Sequence, residues 1–514
     1  MAIMAFTFVG ASLMGSIGML LFLSISYMTG RWPFGKRPTM NVPTVSPRPN
    51  ALFDFGLLLL QGYFEHPNKP YKIIGPTSDL ILLPKQYASE LGTYSSQQLS
   101  FGSAIHDFWM SKYTTWRYHL DDETGRQTLM GALRRDGQHV VSAIDEEIER
   151  GFKEWEDQFF QSSKDKGHIN RNASDDGWVD ISMNPCLRPL VNQAFGRVLI
   201  DAPLCRDADW VNAASGIGIK LMLAARDLRG LHAWLRPVVK HFLPNYRNLM
   251  AARRRLAERI APLVKARLHQ DSAVEEKSHD MIAYQLQHSK GWRATDVDFH
   301  VGQIFDNVFA GDSNDDTQLL QCIYDLASLP ECQQTLRNEV RNVLGQGSNI
   351  TLEALSRMPK VDSFMKEVVR TRPGTLTVVM ARKALCDVQL SDGLVIPRGV
   401  TVAMPSFAIN HDPALYGEDA ADFKPFRFVT SDDSTPPSTA FESISGPGID
   451  FGRGKASCPG RYISLWTMKV VLARFLLHYE VKLKPGSTRP KDIAAGVHRI
   501  ADMVGNMLIR KVEA

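Results

Sequence analysis

Near its C-terminus the chain reads Phe451-Gly452-Arg453-Gly454-Lys455-Ala456-Ser457-Cys458-Pro459-Gly460-Arg461, and an apolar run from residue 462 to residue 477 follows. The glycines allow the backbone to turn sharply and to approach another flat group closely. Cys458 stands just before a helix that is predicted to begin near Pro459, because proline favours the first helical turn. The amides and the positive dipole at a helix N-terminus stabilise a thiolate. The segment therefore predicts either a thiolate of the kind that binds haem iron or an inert buried cysteine.

A second pattern places opposite charges at helical spacing. Glu367 and Arg370 are three residues apart, so they share one face of a helix predicted over Pro359–Thr371. The segment Pro425-Phe426-Arg427-Phe428 lies between this pair and Cys458. Arg427 would extend the pair into a buried Glu–Arg–Arg network that fixes the segment leading to the cysteine. An ordinary surface ion pair is the alternative, and it would indicate nothing about function.

Helical patterns dominate the remaining sequence. Thr295 and Asp298 resemble a capping pair, and apolar residues then recur at helical spacing as far as Pro330. This pattern predicts one helix from Asp296 to Leu329, roughly 50 Å long at about 1.5 Å per residue. Short strands are predicted only late in the chain, at residues 375–380 and 385–390, with a turn at residues 391–393. The predicted fold is therefore mainly α with a minor β region.

Length and composition exclude several classes of protein. The 514 residues, 44% of them apolar, can bury a large core. A formal net charge of +4 on so long a chain argues against a nucleic-acid partner. The six cysteines are scattered without paired spacing, which fits neither a disulfide framework nor a zinc site.

The N-terminus has the pattern of a membrane anchor. Residues 2–30 carry no charge and are rich in apolar side chains, enough to cross a bilayer core of about 30 Å. Positive charges follow this segment rather than precede it, which favours an anchor with a cytosolic body over a cleaved signal peptide or a buried core helix. Five prolines between residues 31 and 50 predict a stiff hinge. The predicted organisation is a transmembrane anchor at 1–30, a Pro-rich hinge at 31–50 and a single catalytic domain at 51–514.

Three motifs together resemble those of the cytochrome P450 family. The pattern Phe-Gly-x-Gly-x-x-x-Cys-x-Gly at residues 451–460 resembles the cysteine-ligand loop, Glu367-x-x-Arg370 resembles the K-helix motif, and Pro425-Phe426-Arg427-Phe428 resembles the Pro-x-Arg-Phe motif. The anchor and hinge are typical of microsomal members. Finer likeness to the fungal group that includes ent-kaurene oxidase rests on Gly196-Arg197-Val198, Pro203-Leu204-Cys205-Arg206, Leu390-Ser391-Asp392-Gly393 and Ile409-Asn410-His411-Asp412-Pro413.

This resemblance implies a large single-domain P450-like fold, mainly α, that binds haem b. Cys458 would be the metal ligand, and the cofactor would also contact Phe451, Gly452 and Gly460. Arg382 would bind a haem propionate, for which arginine offers a fixed donor fork. Glu367, Arg370 and Arg427 would be structural rather than catalytic.

Two positions depart from the family pattern. The residue two before the cysteine is usually arginine or histidine, and here it is Ala456. Oxygen-activating members place a threonine shortly after an Ala-Gly pair, whereas Ala310-Gly311 is followed by Asp312, Ser313, Asn314, Asp315 and Asp316. Asn314 takes the place of the threonine, and an amide relays protons less well than a hydroxyl–carboxylate pair. The candidate catalytic residues are therefore Asn314, Ser313, Asp315 and Asp312, and a solvated helix face is the alternative.

The resemblance also implies a reaction and its partners. The expected enzyme is a haem-thiolate monooxygenase or oxidase of fungal secondary metabolism, supplied with electrons from NADPH by NADPH-cytochrome P450 reductase at the endoplasmic reticulum membrane. Its substrate would be an apolar small molecule, of terpenoid or alkaloid type by analogy. The predicted pocket residues are Phe305, Val308, Phe309, Leu376, Val378 and Val379. A cyclase, desaturase or isomerase without net oxygen insertion is one alternative, and a non-catalytic haem-binding membrane protein is another.

Overall fold

The computed structural model describes residues 39–48, 54–74, 79–114, 123–157, 177–269, 279–312, 314–345, 349–373 and 377–512. Within these ranges, no helix combines the length and the apolar character that a membrane crossing requires. The predicted anchor at residues 1–30 lies outside the described residues. Of the predicted hinge, residues 39–48 are described, and they lie against the first strand, where the Val45 amide donates to the Lys72 carbonyl at 2.9 Å.

Helices form most of the described chain. They are α1 Phe55–Glu65, α2 Ala88–Leu91, α3 Phe101–Phe108, α4 Ser111–Thr114, α5 Glu123–Glu156, α6 Asn184–Ile200, α7 Ala208–Ala214, α8 Ile217–Arg229, α9 Arg236–Val239, α10 Pro244–His269, α11 Met281–His288, α12 Val297–Gly311, α13 Asp315–Ser328, α14 Pro330–Leu344, α15 Leu352–Ser356, α16 Pro359–Thr371, α17 Ser406–Ile409, α18 Pro413–Tyr416 and α19 Arg461–His478. The helix α5 is kinked at Asp136, whose backbone leaves the helical region.

The strands are short and form small sheets. They are β1 Tyr71–Ile73, β2 Leu80–Leu82, β3 Leu99–Ser100, β4 Val179–Ser182, β5 Val379–Ala384, β6 Val388–Gln389, β7 Val395–Ile396, β8 Thr401–Met404, β9 Tyr479–Lys482, β10 Ile493–Ala495, β11 His498–Ile500 and β12 Asn506–Lys511. One sheet has the order β1-β2-β8-β5-β3, with only β2 and β8 parallel, and a second has the order β4-β12-β9. Two hairpins, β6-β7 and β10-β11, complete the described β structure.

The described residues form two large hydrophobic cores and one small cluster. The larger core lies between the long helices α5, α6, α10, α12, α13, α14, α16 and α19. The smaller core packs α1 against the five-stranded sheet. The C-terminal helix α19 is buried along almost its whole length, since fourteen of its eighteen residues are buried. This burial places the residues just before α19, including Cys458, against the centre of the molecule.

The prediction of a single helix from Asp296 to Leu329 is wrong. The chain forms two helices, α12 and α13, because Asp312 adopts an extended backbone with ψ of 132°. The Asp312 carboxylate accepts hydrogen bonds from the amides of Gly216 at 3.1 Å and Gly218 at 2.8 Å, at the start of α8. These bonds to a distant part of the chain hold Asp312 outside the helix.

Two predictions that depend only on neighbouring residues are confirmed. The helix predicted over Pro359–Thr371 is confirmed as α16, with its proline in the first turn. The turn predicted at residues 391–393 is confirmed between β6 and β7, where Gly393 has a φ of +88°. The cap of α12 was misplaced, because Asp296 rather than Thr295 accepts the hydrogen bond from the Phe299 amide.

The close approach of α12 to α6 generates a stability prediction. A Cβ added at Gly311 would lie 2.3 Å from Cε1 of Phe195 on α6, so Gly311→Ala should lower the free energy of unfolding by roughly 1–3 kcal/mol through overpacking. The matched control is Gly131→Ala in α5, where no atom lies within 4 Å of an added Cβ. That change should raise stability by about 0.5–1 kcal/mol. Urea unfolding of both variants measures the contrast, and equal shifts would contradict the packing argument.

Candidate functional site

A closed loop presents Cys458 just before α19. The Cys458 amide donates to the Phe451 carbonyl at 2.7 Å, and the guanidinium of Arg461 donates to the Cys458 carbonyl at 2.8 Å. Gly454 has a φ of +66°, and a Cβ there would lie 2.5 Å from the carbonyl oxygen of Gly92. Only glycine therefore allows this loop to rest on the backbone that follows α2.

The residue Cys458 is exposed, yet the surrounding protein shields its thiol. Its side chain is accessible, whereas Cys186, Cys205, Cys322 and Cys332 are buried. Burial nevertheless raises the pKa of the Cys458 thiol, and the amides of Gly460 and Arg461 together with the Arg461 charge oppose that rise. An exposed residue whose thiol pKa is raised by burial fits a sulfur that faces an internal space and not bulk solvent. A Cβ added at Gly460 would stand 3.9 Å from the sulfur, which is an ordinary van der Waals contact.

Arg382 lies on β5 and its side chain is also withdrawn from solvent. Only 3% of the residue is exposed, one nitrogen donates to the Ala381 carbonyl at 2.8 Å, and the guanidinium lies 5.4 Å from the centre of the Phe101 ring. A buried guanidinium held against an aromatic face is a rigid donor for an anion. An accessible thiol in a glycine-rich loop and a buried arginine fit a thiolate-ligated haem with its propionates.

The carboxylate of Glu367 joins two arginines in the interior. It is fully buried and accepts from Arg370 Nε at 2.7 Å, from Arg370 Nη2 at 2.8 Å and from Arg427 Nε at 3.1 Å. Arg370 also donates to the Asn410 carbonyl at 2.6 Å, and Asn410 Nδ2 donates to Asp450 at 2.7 Å. The structure thus brings together the three residues that the sequence analysis paired, and a chain of hydrogen bonds leads from them to the residue before Phe451.

The candidate catalytic residues diverge around the break between α12 and α13. Asp312 points to α8, and burial raises the pKa of its carboxyl. Asp315 accepts from the hydroxyl of Ser464 on α19 at 2.5 Å, and burial raises the pKa of Asp315 to about 6. Asn314 is exposed and donates to the Ala310 carbonyl at 2.6 Å. Ser313 lies outside the described residues.

The predicted pocket residues fall into different environments. Phe305 and Val308 are buried in the larger core, and Phe309 on the same helix is only partly buried. Val378 and Val379 pack against the smaller core. Leu376 lies outside the described residues. Phe309 is therefore the member of the set on α12 that has accessible surface.

Several residues that shape the site were missed by the sequence analysis. Arg453 donates to the carbonyls of Ile444 and Gly448, which holds the approach to the cysteine loop. Arg188 on α6 pairs with Asp316 at 2.8 Å. Asp306, an isolated acid in the apolar pattern of α12, is half-buried, and burial alone raises the pKa of its carboxyl well above the usual value. The isolated acid was visible in the sequence, whereas the contacts of Arg453 and Arg188 depend on distant segments.

Together, this loop, the accessible thiol and the buried arginine fit a haem-thiolate site within a mainly helical fold. The family model described as "Cytochrome P450" matches residues 123–501, which is most of the chain. The chain belongs to the cytochrome P450 family, and this membership implies a haem cofactor.

Comparisons with individual proteins agree with this assignment. The chain is 26% identical to cytochrome P450 monooxygenase BOA4 of Botryotinia fuckeliana over 461 residues, which cover 89% of each chain. It is 28% identical to cytochrome P450 monooxygenase braC of Annulohypoxylon truncatum over 465 residues, which cover 88% of each chain. The solved structure of retinoic acid-bound cyanobacterial CYP120A1 superposes with a TM-score of 0.67 at 16% identity, covering 92% of this chain and all of that chain. At this identity the last likeness supports the fold alone.

The buried group of Glu367, Arg370 and Arg427, called the Glu367 cluster below, generates a second prediction. Glu367→Gln keeps the shape of the side chain but leaves Arg370 without a counter-charge and Arg427 with only Asp419, so it should lower the free energy of unfolding by about 3–5 kcal/mol. Glu149→Gln is the matched control, because Glu149 pairs with Lys153 on an exposed face of α5. Its effect should stay below about 1 kcal/mol. Comparable losses in both variants, measured by urea unfolding, would show that the cluster is not a structural anchor.

Proposed function

We propose that this protein is a haem-thiolate monooxygenase of fungal secondary metabolism that oxidises an apolar small molecule. The observation that carries the proposal is the Cys458 thiol, which is accessible yet set deep in the protein at the start of α19. Family membership and the similarity to fungal cytochrome P450 monooxygenases support it. When bound, haem supplies the activation of dioxygen, with electron donation from a thiolate favouring O–O cleavage.

In this proposal the protein groups divide the remaining tasks. The amides of Gly460 and Arg461, with the Arg461 charge, favour the thiolate form of Cys458. The guanidinium of Arg382 holds a propionate. The hydrogen-bonded chain from Glu367 through Arg370 and Asn410 keeps the cysteine loop in place.

Proton supply is the step where this chain departs from its family. We assign it to the carboxylates at the break between α12 and α13, with Asn314 holding a water in place of the usual threonine. Asp315 suits this task, because burial raises its pKa to about 6 and it therefore exchanges a proton near neutral pH. Asp312 and Asp316 are oriented by Gly218 and Arg188, so they shape the local field.

The proposal includes the membrane and the redox partner. The uncharged residues 2–30 would anchor the chain in the endoplasmic reticulum membrane, with the body in the cytosol. NADPH-cytochrome P450 reductase in the same membrane would deliver the electrons from NADPH.

One experiment tests these points together. Membrane and soluble fractions of fungal cells expressing the full chain are treated with NADPH and carbon monoxide, with and without added reductase, and absorbance is recorded. We expect the band of a thiolate-ligated ferrous carbonyl haem in the membrane fraction, dependent on reductase, and its loss in Cys458→Ala because the sulfur ligand is gone. Cys386→Ala is the control, since Cys386 is exposed and distant in sequence. A band that survives in Cys458→Ala would refute the proposed function.

A further inference from the structure

Asp306 occupies an unusual place in the centre of the molecule. It lies in the middle of α12, which packs against α6, α8, α10 and α11. In spite of this packing, Asp306 keeps partial access, and Ala310, four residues further along, is exposed. Residues four apart share one face of a helix. Because other helices surround α12, we take this face to border an internal space. Phe305 and Val308 project from α12 in other directions.

The carboxyl of Asp306 has no partner within the described residues. Burial alone raises its pKa well above the usual value, with no hydrogen bond and no charged group contributing. The other acids that follow on α12 and α13 differ, because Asp312 accepts from Gly218, Asp315 from Ser464 and Asp316 from Arg188. A carboxyl that its surroundings partly shield from solvent, and that has no protein partner, is stabilised when another molecule pairs with it. A positively charged ligand beside this carboxyl would be such a partner.

Aromatic rings stand beside Asp306. Phe309 follows it by three residues on α12, a spacing that brings the two side chains together on the helix surface. Trp109 packs edge to face on Phe309, with 5.3 Å between ring centres. Aromatic faces attract cations, as carboxylates do. A cation beside the carboxyl would favour its charged form, whereas a neutral apolar group would leave the carboxyl unpaired.

We propose that Asp306 binds a positively charged nitrogen of the substrate, so that the substrate is an apolar amine. This inference rests on the proposed function and takes the space beside Ala310 as the side on which the substrate would meet the haem. The charged nitrogen pairs with Asp306 and contacts Phe309, and the apolar remainder of the molecule extends along α12 towards Ala310. Asp306 is thereby a specificity-determining residue, because it selects cations and fixes which end of the substrate reaches the haem.

The test measures binding by isothermal titration calorimetry to the detergent-solubilised, haem-loaded full chain. The probes are trimethylammonium ions carrying naphthylethyl, adamantylmethyl or decyl groups, each compared with its neutral isostere in which a tert-butyl group replaces trimethylammonium. A quaternary nitrogen has no free electron pair and cannot coordinate the iron, so any preference reports the protein. We expect at least one cation to bind about tenfold or more tightly than its isostere, and Asp306→Asn to abolish that preference.

The control is Asp298→Asn, the same chemical change at an exposed position in the first turn of the same helix. It should retain the preference for the cation. Asp306→Asn should melt no lower than the wild type, because a neutral amide replaces a buried unpaired acid; a lower melting temperature would reveal an internal partner and overturn the proposal. It is equally overturned if no cation is preferred by the wild type, or if the preference survives in Asp306→Asn. Absence of the thiolate-ligated carbonyl band in the wild type would instead refute the proposed function. Failure of the amine proposal and failure of the proposed function are therefore distinguishable.

Discussion

The hydrogen bond from the Cys458 amide to the Phe451 carbonyl, 2.7 Å long, closes the loop on which the site depends. It turns the chain so that the sulfur emerges at the N-terminal end of α19, where amides and the Arg461 charge oppose the effect of burial. The Cys458 residue is nevertheless exposed. The loop in turn rests on Gly92 through Gly454, where no side chain would fit.

The Glu367 cluster supports the cysteine loop through a series of hydrogen bonds. Arg370 donates to backbone carbonyls of residues 410, 420 and 422 in addition to Glu367, and Arg427 donates to the carbonyls of residues 416, 419 and 422. A long segment with little regular structure thus obtains its partners from two arginine side chains. Because Asn410 bonds both Arg370 and Asp450, the position of the cysteine loop is coupled to this buried charge cluster. The cluster therefore supports the site without touching the reacting groups.

The sequence was sufficient where the controlling contacts are local. The helix α16 with its Glu367–Arg370 pair, and the glycine-rich loop before α19, follow from spacing within about ten residues. The break after Gly311 could not be predicted, because it depends on amides of Gly216 and Gly218, which lie nearly one hundred residues away in the chain. The same limit applies to Asp306, since its partial burial and its lack of a partner among the described residues are properties of the packed helices and not of the pattern in α12.

The central claim is a bond between the Cys458 sulfur and the haem iron, and X-ray absorption at the iron edge measures it most directly. The account predicts one sulfur neighbour in the first coordination shell of the iron in the wild-type protein and none in Cys458→Ala. The exposed Cys386 should have no influence on that shell. A shell of nitrogen and oxygen neighbours alone in the wild type, or a sulfur neighbour that persists in Cys458→Ala, would contradict the account.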